Sequence, residues 1–265
     1  MNDAIYTVPR YHFNTKAAYT FASRFYLFYQ KPEETIKYAT LALGDNPESS
    51  MRDYDAMASM PTDDMQPRSI QYTSSSEKAN FLLLPVYSTD QYYFSGTSTG
   101  SRFNNNSYIA QAEEFFLTPW APENESAQQS QAIFKFYWFY TATYNKCMFP
   151  KQPAYFEEVN ENTHVGYQRT QVVALKAEEA LLNRAEAYVL TNQYDLALKD
   201  INVWTDNFVA DSVSYNTYQY DENWNYIYAT EPINKKLTLD RIREWVNKYG
   251  YYTPDTPRPR KHLHP

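Results

Sequence analysis

"AEEALLNRAEAYVLTNQYDLALKDIN", residues 177–202, is the stretch whose reading decides the fold. Alanines and leucines recur at helical spacing, the run breaks at a short turn, and Tyr194 begins a second helix at once. The alanines let a neighbouring helix approach closely. Arg184 stands inside the apolar stripe, where an unpaired charge is costly. Its stem is expected to pack while its guanidinium bonds a carboxylate or the carbonyls of a neighbouring helix. A ligand-binding role for it is the alternative.

The same design occurs near the amino terminus. "NTKAAYTFASRFYLFYQ" reads as a helix capped by Asn14 or Thr15, with Ala17, Phe21, Arg24 and Phe28 on one face. Pro32 opens a partner helix and Gly44 closes it. Displaced by 160 positions, Ala17, Phe21, Arg24 and Phe28 fall on Ala177, Leu181, Arg184 and Tyr188. Ile36, Tyr38, Leu41 and Leu43 fall on Leu196, Leu198, Ile201 and Val203. Two helix hairpins, at about 14–44 and 171–208, therefore form an internal repeat, and helix–turn–helix units of roughly 34 residues are the tetratricopeptide pattern. The expected fold is mainly α: tetratricopeptide-like hairpins in one domain over 1–265, with long irregular aromatic-rich loops and minor β.

Between the hairpins the pattern changes. Residues 45–106 are rich in Asp, Ser, Thr, Asn and Pro and read mostly as loop, with short apolar runs such as "NFLLLPVY". "NSYIAQAEEFFL" reads as a short helix and "AIFKFYWFYTATY" as a strand. Residues 211–228, "DSVSYNTYQYDENWNYIY", read as an ordered loop. A last helix runs from Thr238 to Tyr249 with Gly250 as its stop.

A formal net charge of −7 argues against a nucleic-acid surface. The sole cysteine, Cys147, excludes an intrachain disulfide framework. The longest apolar runs are too short to cross a bilayer. Enzyme signatures are missing: His12, His164, His262 and His264 are scattered, and there is neither a Gly-rich phosphate loop nor a Gly-x-Ser-x-Gly elbow. The pairs Glu113–Glu114, Glu157–Glu158 and Glu178–Glu179 are sequence neighbours that point apart, so none can flank one glycosidic bond as a pair. No catalytic residue, metal site or cofactor is assigned.

The aromatic load, 27 Tyr, 15 Phe and 5 Trp, leaves the loops as the candidates for binding. A Tyr or Trp ring can stack on the C–H face of a sugar while amides and carboxylates bond its hydroxyls, and the same side chains serve peptides. Tyr92, Tyr93, Arg102, Asn104 and Asn105 form one such cluster. Trp120 with Glu123 and Asn124 forms a second, and Trp224 and Tyr226 with neighbouring Asn and Asp a third. Trp138 and Trp245, inside regular patterns, read as core.

"VALKAEEALLNRAEAYVLTNQYDLALKDINVW" resembles the helix pair of the SusD/RagB family, with Glu179, Leu182, Ala185, Glu186, Ala187, Ile201 and Asn202 at matching positions. "KAAYTFASRFYLFYQ" followed by "TIKYATLAL" is similar to the family's earlier helix pair. Lys176 stands where the family commonly has arginine. The lipobox and the closing Glu-Arg block are not in the sequence, so the chain is expected to be the middle of a longer protein. The resemblance implies a non-catalytic, lipid-anchored outer-membrane protein. Such a protein captures oligosaccharides, or peptides in the RagB branch, and delivers them to a TonB-dependent transporter of the SusC type, which it contacts through the helical scaffold. Arg24, Arg184, Glu179 and Glu186 then belong to that scaffold. A tetratricopeptide-type interaction module that docks peptides in a helical groove is the alternative.

Overall fold

The computed structural model describes residues 3–60, 65–89, 105–106, 118–120, 133–135, 138–140, 146–148 and 151–249. Asn14 starts the first helix. Its side-chain oxygen accepts from the Ala17 N–H at 3.0 Å, satisfying a donor the helix cannot satisfy itself, while its amide donates to Phe81 O at 2.7 Å. Helix α1 (Thr15–Phe28) leads through a tight turn to α2 (Pro32–Leu43), opened by proline and closed by Gly44 at a φ of 76°. Short helices α3 (Tyr54–Ala58) and α4 (Met65–Tyr72) follow, then strand β1 (Asn80–Tyr87). Two-residue β2 (Asn105–Asn106), β3 (Trp138–Tyr140) and β4 (Lys146–Met148) form a small antiparallel sheet in the order β2-β4-β3. Strands β5 (Tyr155–Asn160) and β6 (Val165–Lys176) join β1 in a three-stranded antiparallel sheet, order β1-β6-β5. Helices α5 (Ala177–Leu190) and α6 (Tyr194–Phe208) form the second hairpin. After them come the ribbon β7 (Ser212–Tyr220) with β8 (Tyr226–Pro232) and helix α7 (Leu239–Tyr249).

The expectation of a mainly α, tetratricopeptide-like fold is wrong: antiparallel sheets stand beside the helices, and the architecture is mixed α and β. Residues 171–176, assigned to the second hairpin, are the end of β6, and α5 begins only at Ala177. "NFLLLPVY" is β1 rather than part of a loop. Residues 211–228, read as a loop, are mostly the β7–β8 ribbon. Their Tyr and Thr alternate with polar residues, a strand pattern that polarity on both faces disguises. Gly166 is the second residue of β6, where an added Cβ would strike the Glu157 carbonyl and the Phe156 ring, so the hairpin closes there only with glycine.

The helices pack through small residues. Ala17, Ala42, Ala177 and Ala180 bring α1, α2 and α5 close, and Leu43, Met51, Phe81, Leu175 and Leu181 fill the core between helices and sheet. A second cluster, Ile133, Phe134, Val209, Val213 and Ile233, seats the β7–β8 ribbon. The two hairpins match in sequence but not in burial. On α1 the buried face is Ala17, Thr20, Ser23 and Leu27, so Phe21 and Phe28 stand 48% and 57% exposed, whereas Leu181 at the equivalent place is fully buried.

The repeated arginines also differ. Arg184 is buried and makes a two-pronged bond to Asp200 of α6, Nε–Oδ2 2.7 Å and Nη2–Oδ1 2.8 Å, with Nη1 donating to Thr40 Oγ1 at 3.1 Å. Arg24 reaches from α1 to Glu179 on α5 and donates Nη2 to Ala174 O at 3.0 Å, with its side chain 39% exposed. Glu186 lies exposed and makes no ion pair among the described residues. Beside Glu179, Glu178 points the other way into a polar interior. It accepts from Arg52 Nε at 3.0 Å and from the Tyr54 hydroxyl at 3.2 Å. Arg52 also donates to Tyr72 O at 2.7 Å and to Asn80 Oδ1 at 2.6 Å, with its guanidinium 3.8 Å from the Tyr72 ring centre. Burial above all, and then Glu178, pushes the Tyr54 hydroxyl well above its ordinary pKa. Burial works to lower Lys176, but Tyr72 and Glu178 outweigh it and hold the ammonium above its usual range.

Replacing Arg184 with Met leaves Asp200 buried and unpaired and is expected to cost about 3–5 kcal/mol in urea unfolding. Arg24→Met, at a partly solvated pair, is expected to cost about 1 kcal/mol.

Candidate functional site

The β7–β8 ribbon carries the most exposed cluster of rings among the described residues. Antiparallel pairing sets Tyr220 directly opposite Tyr226, with ring centres 4.7 Å apart, and Trp224 follows at 6.0 Å from Tyr220. Trp224 is 82% exposed. The turn that presents it is held by one carboxylate. Asp221 Oδ1 accepts from the N–H groups of Asn223 and Asn225 at 2.8 Å each, Oδ2 accepts from the Asn225 amide at 3.2 Å, and Asp221 N donates to Asn225 O at 2.9 Å. These bonds, the Asn225 backbone N–H foremost, hold the Asp221 carboxyl below its ordinary pKa.

The ring platform is set at a conformational cost. Trp224 has a φ of 62°, in the left-handed region where a bulky side chain costs on the order of 1 kcal/mol. Tyr218 has a φ of 59°, at the register shift between Asn216 and Tyr220, and its N–H donates to Asn216 Oδ1 at 2.7 Å. Backbone held this way by its own side chains presents rings without a flexible loop, and such local strain clusters at ligand sites. Chemically the tip offers a row of π-faces with the Glu222 and Asn223 side chains beside it. A flat ring face is what the apolar side of a pyranose stacks against.

Of the residues singled out in the sequence, Trp224 and Tyr226 are brought together here. Tyr220, which completes the row, was missed; its signal is the Tyr-x-Tyr alternation on either side of "DENWN", a hairpin pattern. Trp120 belongs elsewhere. Its indole N–H donates to Lys235 O at 3.2 Å and its ring packs on Trp204 and Phe134 at 5.8 and 6.4 Å, half-buried against the second core cluster. It forms one wall of an open cleft of about 590 Å³ that Glu231, Lys236, Arg241 and Glu244 also line. Glu231 lies near the far end of β8 from Tyr226, so cleft and ring platform are separated by roughly 17 Å along the strand. Tyr92, Tyr93, Arg102 and Asn104 lie outside the described residues, as do Glu123 and Asn124, while Asn105 falls in β2.

Neighbouring carboxylates part as adjacent residues must. Glu157 accepts from the Tyr87 hydroxyl at 3.0 Å, whereas Glu158 meets His164 at 2.6 Å. Among the described residues no group of three His, Cys, Asp or Glu side chains converges as a metal set, and no helix is long and apolar enough to cross a membrane. No protein-family model, curated protein or solved structure matches the chain.

In Asp221→Ala the turn loses its anchor. The amide resonances of Asn223 and Asn225, which in the native protein should titrate with a midpoint below the ordinary aspartate range, are then expected to show no such transition by NMR.

Proposed function

We propose that this chain captures oligosaccharides at the outer-membrane surface, without breaking a bond, for delivery to a TonB-dependent transporter of the SusC type. The observation that carries the reading is the pre-set row of Tyr220, Trp224 and Tyr226, which offers stacking faces rather than a reacting group. Because the platform is fixed by Asp221, little ordering entropy is lost when a sugar lands on it. The resemblance of both helix pairs to the SusD/RagB family supports the same reading from the sequence.

The transporter contact is assigned to the outer face of α1. Phe21, Phe25, Phe28 and Tyr29 form an exposed stripe at helical spacing, and Phe13 stacks edge-on against Phe21 at 6.0 Å. An aromatic stripe of this kind on a helix that already buries its other face marks an interaction surface.

Calorimetric titration of the intact protein with a panel of neutral oligosaccharides tests the capture. Trp224→Ala is expected to weaken binding about tenfold with unchanged melting, and the bound sugar should be recovered intact. A sugar cut into products, or binding confined to peptides, would overturn the reading. Phe25→Asp with Phe28→Asp should abolish co-purification with a SusC-type transporter while leaving the sugar titration as it was.

A further inference from the structure

The three-stranded sheet has a second aromatic face, built around a cation. In its central strand, Arg169 pairs with Tyr87 of β1 on one side and with Tyr155 of β5 on the other, so all three side chains rise from the same face. Tyr167 and Gln171, two residues either way along β6, share that face. Tyr11 closes one end, its hydroxyl 3.4 Å from Gln171 Oε1. Together Tyr11, Tyr155, Arg169 and Gln171, with Pro85, line a groove of about 440 Å³, within the size range of small-ligand sites.

The arginine differs from the others described. Arg24, Arg52 and Arg184 spend their donors on carboxylates and carbonyls. The Arg169 guanidinium lies 5.8 Å from the Tyr155 ring centre, and its nearest carboxylate oxygen is Glu157 Oε2 at 3.6 Å, beyond hydrogen-bond reach. That oxygen is held instead by the Tyr87 hydroxyl at 3.0 Å. Arg169 lines the groove with its N–H groups in no hydrogen bond to the described residues and its charge countered by Glu157 in an ion pair at 3.6 Å, and a fork of N–H donors matches a carboxylate or sulfate in two-pronged geometry.

We propose that this groove binds the anionic group of an acidic sugar residue, with Arg169 gripping the carboxylate or sulfate between the Tyr11 and Tyr155 rings. The inference rests on the oligosaccharide-capture reading and names a substrate class for it. Tyr11 and Tyr155 supply ring faces and hydroxyls for the rest of the sugar, while the Gln171 amide, which donates to Thr73 O at 2.5 Å, holds the end of the groove in place. A peptide would find less, since among the described residues only Pro85 and the Thr170 methyl offer the groove an aliphatic wall. With a net charge of −7, the protein as a whole does not attract anions, so the preference is local to this arginine.

Titration calorimetry of the intact protein would compare three trisaccharides of one linkage, a hexuronate, a sulfated and a neutral one, together with an acidic peptide. At least one of the acidic sugars is expected to bind about tenfold more tightly than the neutral one. Arg169→Gln should reduce that preference to about twofold or less while neutral binding and melting temperature hold. Glu157→Gln, which removes the competing carboxylate, should tighten acidic-sugar binding by about threefold. Which acidic sugar responds identifies the anion. Equal affinity for acidic and neutral sugars in the native protein overturns the proposal, as does equal weakening of both by Arg169→Gln or tighter binding of the acidic peptide. Where neutral sugars still bind through Trp224, only this inference falls; where no sugar binds, the capture reading falls with it.

Discussion

Two adjacent carboxylates at the start of α5 hold the parts of the molecule together. Successive residues of a helix point about 100° apart, so Glu178 and Glu179 cannot serve one partner and are drawn to opposite sides. Glu179 takes Arg24 and binds α1; Glu178 takes Arg52 and binds the segment before α3, the end of α4 through Tyr72, and β1 through Asn80. Both acids also lie in the first turn, where the helix dipole favours negative charge. Remove Glu178 and a fully buried guanidinium loses its counter-charge, which is why the fold has no cheap alternative arrangement around this point.

The aromatic richness is divided between two tasks. Tyr54, Tyr72, Phe81 and Phe134 go inside, where rings fill volume and their polar tips find bonds. Others among the described residues emerge on the outer stripe of α1, the tip of β7–β8 and the Arg169 face of the three-stranded sheet. These surfaces differ in chemistry. The stripe is apolar and helical, the tip is a bare row of rings, and the sheet face mixes rings with charge. A chain that only needed a core would have no reason to place rings in all three.

The helix pairs were legible because a period of 3.6 residues with flanking Asn14, Pro32 and Gly44 leaves few alternatives. Which face of α1 would be buried was not legible. Thr20 and Ser23 turn inward because the neighbouring helices approach too closely for Phe21, and that distance is a tertiary fact. The strands were hidden for a different reason. β6 and the β7–β8 ribbon carry polar or aromatic residues on both faces, so period-two alternation never shows as apolar against polar. Of the ring platform, Trp224 and Tyr226 could be named from composition, but the partnership with Tyr220 depends on a register that only pairing sets. Arg52 lay in a polar stretch with nothing to mark its burial, and Arg169 stood just ahead of the segment read as the second hairpin, where no element was assigned.

The passage from β6 into α5 has no linker. Lys176 ends the strand, Ala177 begins the helix, and the Ala177 N–H is bonded to Ala79 O of the neighbouring chain segment at 2.9 Å. Strand and helix meet without a spacer residue, and the junction is pinned by Arg52, Glu178 and Asn80. Such a junction transmits tilt instead of absorbing it. A load on the sheet is thus felt as rotation at the helical layer, with no hinge at that junction to dissipate it.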